Sequence, residues 1–318
     1  MLNRRHLRIK VLQILYAYFQ TEDKDPLKAE KELYRSVEKM YELYIYFLLT
    51  FEELVSFAEQ RMEDRQKKKF RPSESDLKPS RKFADNQIFK YFAQNNALRK
   101  KSEELKVNWG GAVKNDLMRK LFVHISNTEE YIQYMSNETS SFEEDKKFVH
   151  TLFKREIANF GLLHDFFESE SIYWMDDIDL ICSMVLKTIK SIEEKNSKSG
   201  AILPLYKDEK DEKNFINILI RKTLAKDDEN AKIIDKLTQN WELDRIARMD
   251  IILLKMALTE LTELQSIPKK VTLNEYIEIS KYYSTPKSQV FINGILDKAI
   301  GLLDKEGKLL KTGRGLIN

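Results

Sequence analysis

Apolar residues recur every three or four positions along most of this chain, with short polar breaks between the runs, and that period predicts helices. In the opening RRHLRIKVLQILYAY, Leu7, Val11, Ile14, Leu15 and Tyr18 fall on one helical face, while Arg4, Arg5 and Arg8 fan across its edge. After the polar stretch TEDKDP (21–26), residues 27–69 read as one or two long helices. The basic segment 67–86, with Pro72 and Pro79, reads as a surface loop, and NWGGAV (108–113) and SNETSSFEED (136–145) interrupt further helical runs. A second loop spans 195–214 and holds Gly200 and Pro204. Beyond it lie NFINILIRKTLAK, AKIIDKLTQNW, DRIARMDIILLKMALTELTEL, TLNEYIEISKYYS and KSQVFINGILDKAIGLL, five helical candidates joined by short connections.

Two of these candidates carry start signals. Thr272 with Glu275 has the spacing of a capping box, and Val271 with Tyr276 that of a hydrophobic staple. Thr285 can cap the last helix, with Pro286 in its first turn. That helix aligns Phe291, Ile295, Ala299 and Leu302 on one stripe, beside Ile292, Leu296 and Leu303, and Gly294 within it reads as a point of close helix packing.

Composition narrows the fold class. Only 9 Gly and 6 Pro in 318 residues are too few for a fold built on many tight turns, and 42% hydrophobic content supports a real core. The expectation is an all-α protein with two domains, or one domain with a large insertion. A net charge of +3 is uninformative about nucleic acid, so any such case rests on where the charges sit. The single cysteine, Cys182, excludes an internal disulfide framework, fits a reducing, cytoplasmic setting and reads as a small buried hydrophobe. Lys10 and Gln13 interrupt the apolar run that a signal peptide needs, and no run of about 18 apolar residues is long enough to cross a membrane.

Catalytic chemistry finds no foothold. His6, His124, His150 and His164 show no metal-ligand spacing, and nucleophile-elbow and phosphate-loop patterns are missing. Asp176, Asp177 and Asp179 read as carboxylates at a helix start rather than a magnesium site. No enzyme, cofactor or metal is expected. The three arginines oppose the macrodipole at a helix N-terminus, and no acid precedes Glu22 to neutralise them locally. They read either as an RNA contact, since guanidinium groups pair with phosphate and stack on bases, or as an exposed basic terminus. The KKKFR run (67–71) is a solvated loop or a second electrostatic contact.

RRHLRIKVLQILY at the start, then NWELDRIARMDIILLKMALTEL, IPKKVTLNEYIEISKYYS and FINGILDKA in that order, resemble the bacterial transcription antitermination factor NusB family. The resemblance covers residues 1–20 and 209–306, leaving 21–208 as a large, mostly helical insertion and 307–318 as a C-terminal tail. It implies an all-helical fold of two small bundles and a non-catalytic role: binding the boxA element of ribosomal RNA transcripts with the ribosomal protein NusE, within an RNA polymerase antitermination complex. It places RNA contacts on Arg4, Arg5, Arg8 and Phe291 and NusE contacts on Tyr16 and Asp250, and Lys287, where relatives often have an acid, joins the RNA candidates as an added phosphate attraction. Leu7, Ile9, Lys287 and Val290 depart from residues usual in the family. Two other classes compete: a helical protein-interaction scaffold that does not bind RNA, and the RNA-binding arm of a ribosomal RNA methyltransferase. The second is disfavoured by the short sequence after the last helix and by an insertion without a glycine-rich cofactor loop.

Overall fold

A computed structural model describes residues 2–67, 79–137, 139–196, 202–238 and 246–316. Among these residues there is no strand, and the chain is all-α as its periodicity requires. It divides into two compact units, one built from residues 1–37 and 205–318, the other from 38–204.

Helix α1 (Arg4–Gln20) starts where Asn3 accepts the backbone N–H of His6 through its side chain, and the His6 ring reaches back to the Asn3 N–H. Leu7, Val11, Leu12 and Leu15 are fully buried, and the buried face also takes in Arg8 and Lys10. The stretch after TEDKDP forms one helix, α2 (Pro26–Gln66), whose first twelve residues belong to the first unit and the rest to the second.

The second unit continues through α3 (Gln87–Ala93), α4 (Asn96–Leu105), α5 (Ala112–Ser126), α6 (Glu129–Ser136), α7 (Phe142–Leu152), α8 (Gly161–Glu170) and α9 (Ile178–Ser191). Its core is aromatic: Phe47 and Phe51 from α2 pack on Phe92, Phe153 and Phe167, with Phe51 and Phe92 stacked at 4.8 Å. The indole N–H groups of the buried Trp109 and Trp174 donate to the backbone carbonyls of Tyr46 (3.1 Å) and Lys39 (2.6 Å), so neither is left unsatisfied. Asn86 caps α3, donates to the Tyr134 hydroxyl and thereby joins a buried chain that ends with Tyr134 donating to Asp145 at 2.6 Å. Burial pushes the Cys182 thiol up to about 12.

The remaining helices complete the first unit: α10 (Glu209–Ala225), α11 (Asp227–Leu237), α12 (Arg248–Glu263), α13 (Lys269–Tyr283) and α14 (Ser288–Lys305). Helix α12 is central, touching α1, α10, α11, α13 and α14, and it is buried nearly all round, as a helix apolar on every face must be.

Three local expectations change. Residues 209–214 belong to α10 rather than to the preceding loop, because Asp208 caps that helix through Asp211 N–H. Thr272 does not start α13; the helix begins after Pro268, and Thr272 is a buried residue within it whose hydroxyl donates to Glu260. Gly294 is not a packing contact, since a Cβ built there meets nothing within 4 Å. The KKKFR run from Lys68 onward lies outside the described residues.

Candidate nucleic-acid interface

The three opening arginines do not share one environment. Arg8 is 2% exposed and forms two parallel hydrogen bonds of 2.7 Å to the carboxylate of Glu260, which is itself fully buried. Burial works against the Arg8 charge, but attraction and hydrogen bonding to Glu260 outweigh it and hold the guanidinium pKa above its ordinary value. Glu260 also accepts from the hydroxyls of Thr272 (2.8 Å) and Tyr276 (3.2 Å), so a buried charge in the last turn of α12 is fully answered. Arg5 is half-exposed and makes a bidentate pair with Glu275 at 2.9 Å, and Arg8 adds a longer 3.7 Å contact to the same carboxylate. Although burial pushes the other way, Arg5 and Arg8 hold the Glu275 carboxyl below the usual carboxylate range. Arg4 pairs with Asp211 at 2.7 Å and lies over the Phe215 ring. Asn3, Arg4, Arg5 and Arg8 line one open cleft of about 590 Å³ with Glu275, Arg314 and the 266–268 connection.

At the junction of α12 and α14 a second groove, about 640 Å³, is lined by Ile246, Asp250, Lys287, Phe291, Gly294 and Lys298 among others. Asp250 lies at its base, 4% exposed, and accepts hydrogen bonds from the Ser284 hydroxyl (2.6 Å) and the Ser288 hydroxyl (2.7 Å). Those serines bracket the turn that launches α14, while Thr285 bonds to Ser288 rather than capping the helix. Lys287 is exposed, and Phe291 presents a partly exposed ring. The open space at Gly294 keeps the groove clear beside that ring. Of the seven residues singled out from sequence, Lys287, Phe291 and Asp250 meet here, and Arg4, Arg5 and Arg8 meet in the arginine cleft. Tyr16, 39% exposed on α1, lines neither.

The sequence pattern of the NusB family matches residues 180–301. The transcription antitermination protein NusB of Salinibacter ruber is 42% identical over 139 residues, which are 42% of this chain and 86% of that protein. The chain belongs to the NusB family. Two further proteins of the same name are similar: that of Chloroherpeton thalassium, 42% identical over 33% of this chain and 50% of its own length, and that of Geobacter sulfurreducens, 34% identical over 39% and 94%. No solved structure matches the chain.

In this NusB-family chain, sequence reasoning overlooked the acids that set the arginines. Asp211, Glu260 and Glu275 lie 207, 252 and 270 residues from the arginines they meet, too far for local inspection. Glu260 did carry a signal: a carboxylate amid the apolar run of α12 demands a buried partner. Gly294 and Lys298 were also missed as groove residues, and the exposed position of Lys298 at one turn from Gly294 is the pattern that points to it.

Proposed function

We propose that the chain is a non-catalytic transcription antitermination factor that holds boxA-like single-stranded RNA of ribosomal RNA transcripts, with the ribosomal protein NusE docked alongside, within an RNA polymerase antitermination complex. The first unit, which contains residues 1–20 and 209–306, is the RNA-binding body, and of the insertion 21–208 residues 38–204 form the second unit. The observation that carries the reading is the groove at α14, where the partly exposed ring of Phe291 stands with the exposed lysines 287 and 298. An aromatic face stacks an unpaired base whatever its identity, and flanking ammonium groups meet the phosphates that run past it. Both grooves are formed wholly by the first unit.

Within this reading the residues divide by exposure. Arg4, Arg5, Lys287 and Phe291 touch RNA. Arg8 positions, because its guanidinium is spent on Glu260 inside the bundle. Tyr16 offers an exposed ring to NusE, and Asp250 acts through the turn it ties down. The relatives' shared name supports the antitermination role, and 34–42% identity carries it to this chain.

The test is a titration of boxA RNA with the chain, alone and with NusE, at two salt concentrations. Binding that strengthens with NusE and weakens with salt is expected, since phosphate contacts release counterions. Failure to bind in every condition sinks the reading and leaves the protein-interaction scaffold ahead.

A further inference from the structure

The C-terminal tail does not leave the bundle after α14. It folds back on the connection between α12 and α13: Lys311 donates to the carbonyl of Leu264 at 3.1 Å, and the Thr312 N–H donates to the carbonyl of Gln265 at 3.1 Å. A short 3-10 turn (Gly313–Leu316) follows, closed by the Gly315 N–H donating to Thr312 at 2.9 Å. The two glycines flanking Arg314 are both required by this path. Gly313 has φ +54, in the left-handed region, and a Cβ on Gly315 would lie 2.0 Å from the Gln265 carbonyl oxygen. The tail is therefore seated by backbone contact, and its seat fixes where Arg314 goes.

Arg314 goes to the arginine cleft, lining it with Arg4, Arg5, Ser266 and Glu275. Its charge differs from the others there. Arg4, Arg5 and Arg8 each meet a carboxylate within 2.9 Å, whereas Arg314 makes no ion pair among the described residues and is exposed. The cleft's uncompensated positive charge thus sits on a residue that the tail delivers, beside two half-exposed arginines whose acids are partly exposed as well.

We propose that Arg314 is a phosphate-binding residue of the RNA interface, held on the arginine cleft by the docked tail. This rests on the RNA-binding reading above and extends it to residues beyond α14. A guanidinium pairs with a phosphate bidentately without reading a base, so the contact adds affinity uniformly across sequences.

The experiment measures RNA affinity of the full chain against salt for the unaltered protein and for Arg314→Ala, Arg314→Lys and Gly315→Val, using boxA RNA and a scrambled RNA of equal length. Arg314→Ala is expected to weaken both RNAs several-fold by the same factor and to lower the log–log salt slope by about 0.7, the share of one phosphate on a single strand. Arg314→Lys should restore most of that slope. Gly315→Val should reproduce the alanine effect by unseating the tail, and the double variant should be no worse than either single one; circular dichroism confirms that α1–α14 are intact. Unchanged affinity and slope in Arg314→Ala, while Arg5→Ala lowers both, overturn the assignment alone. An effect confined to boxA RNA also overturns it, because it would mark base readout. Absence of RNA binding by the unaltered chain overturns the underlying reading and the assignment together.

Discussion

Arg8 and Glu260 form a bidentate ion pair of 2.7 Å contacts with both side chains withdrawn from solvent, tying the first helix to the central one. Removing one partner strands the other charge in the core. Arg8→Ala is expected to destabilise the chain by about 3–5 kcal/mol in urea denaturation, whereas Arg8→Met with Glu260→Met should recover only part of that loss, because the Thr272 and Tyr276 hydroxyls still lose their acceptor. An Arg8→Ala chain as stable as the parent would show that the pair does not hold the bundle.

Asp250 is the equivalent anchor at the other groove. Losing two charge-assisted hydrogen bonds from Ser284 and Ser288 should cost Asp250→Ala about 1.5–3 kcal/mol for each unmet hydroxyl that water cannot reach. The start of α14 should loosen with it, so amide exchange at residues 286–290 is expected to quicken more than exchange in α1. Equal quickening everywhere would refute a local role.

The Phe291 groove separates binding from stability. Phe291→Ala should weaken RNA binding by about 1–3 kcal/mol and leave the salt slope unchanged. Gly294→Ala should raise stability by about 0.5–1 kcal/mol, because an exposed helical glycine carries an entropy cost and nothing lies within 4 Å of the added carbon. Gly294→Trp should be folded and bind RNA poorly, as its ring would occupy the groove. Full binding by that variant would move the RNA site elsewhere.

Lys311 gives a pH dependence of known sign. Burial, partly offset by Glu260 and reinforced by Lys269, lowers its ammonium pKa to about 8 from an ordinary 10.5. Between these values the unfolded chain binds the proton that the folded chain has released, so stability attributable to Lys311 rises with pH from about 8 towards 10.5 and is flat below. The difference in unfolding free energy between the parent and Lys311→Met should therefore grow across that window. A constant difference would show that Lys311 titrates in the folded chain as it does in the unfolded one.

The helices were legible because their apolar periodicity is a local property: α12 shows its near-complete burial as an almost unbroken apolar run, and α2 its length as a stretch without glycine or proline breaks. What sequence could not supply was the answer to a charge. The opening arginines look unopposed until folding brings Asp211, Glu260 and Glu275 to them, and Arg8 then changes from an edge residue to a core one. The capping-box pattern at Thr272 misled for the same reason. Both of its side chains are used across the bundle, Thr272 on Glu260 and Glu275 on Arg5, so neither is available to its own helix end. Gly294 was misread because helix packing and an open groove leave the same residue in sequence, and only the neighbouring space tells them apart.

Because Arg8 and its partner lie 252 residues apart, the first unit has a waiting time built into its synthesis. At roughly 5–20 residues per second, the ribosome takes on the order of ten to fifty seconds to deliver Glu260 after Arg8 has been made. The second unit is one continuous segment and can close during that interval. Helix α1 meanwhile carries its apolar stripe and an unmatched guanidinium in the nascent chain, so residues made before the second unit find their place only after it.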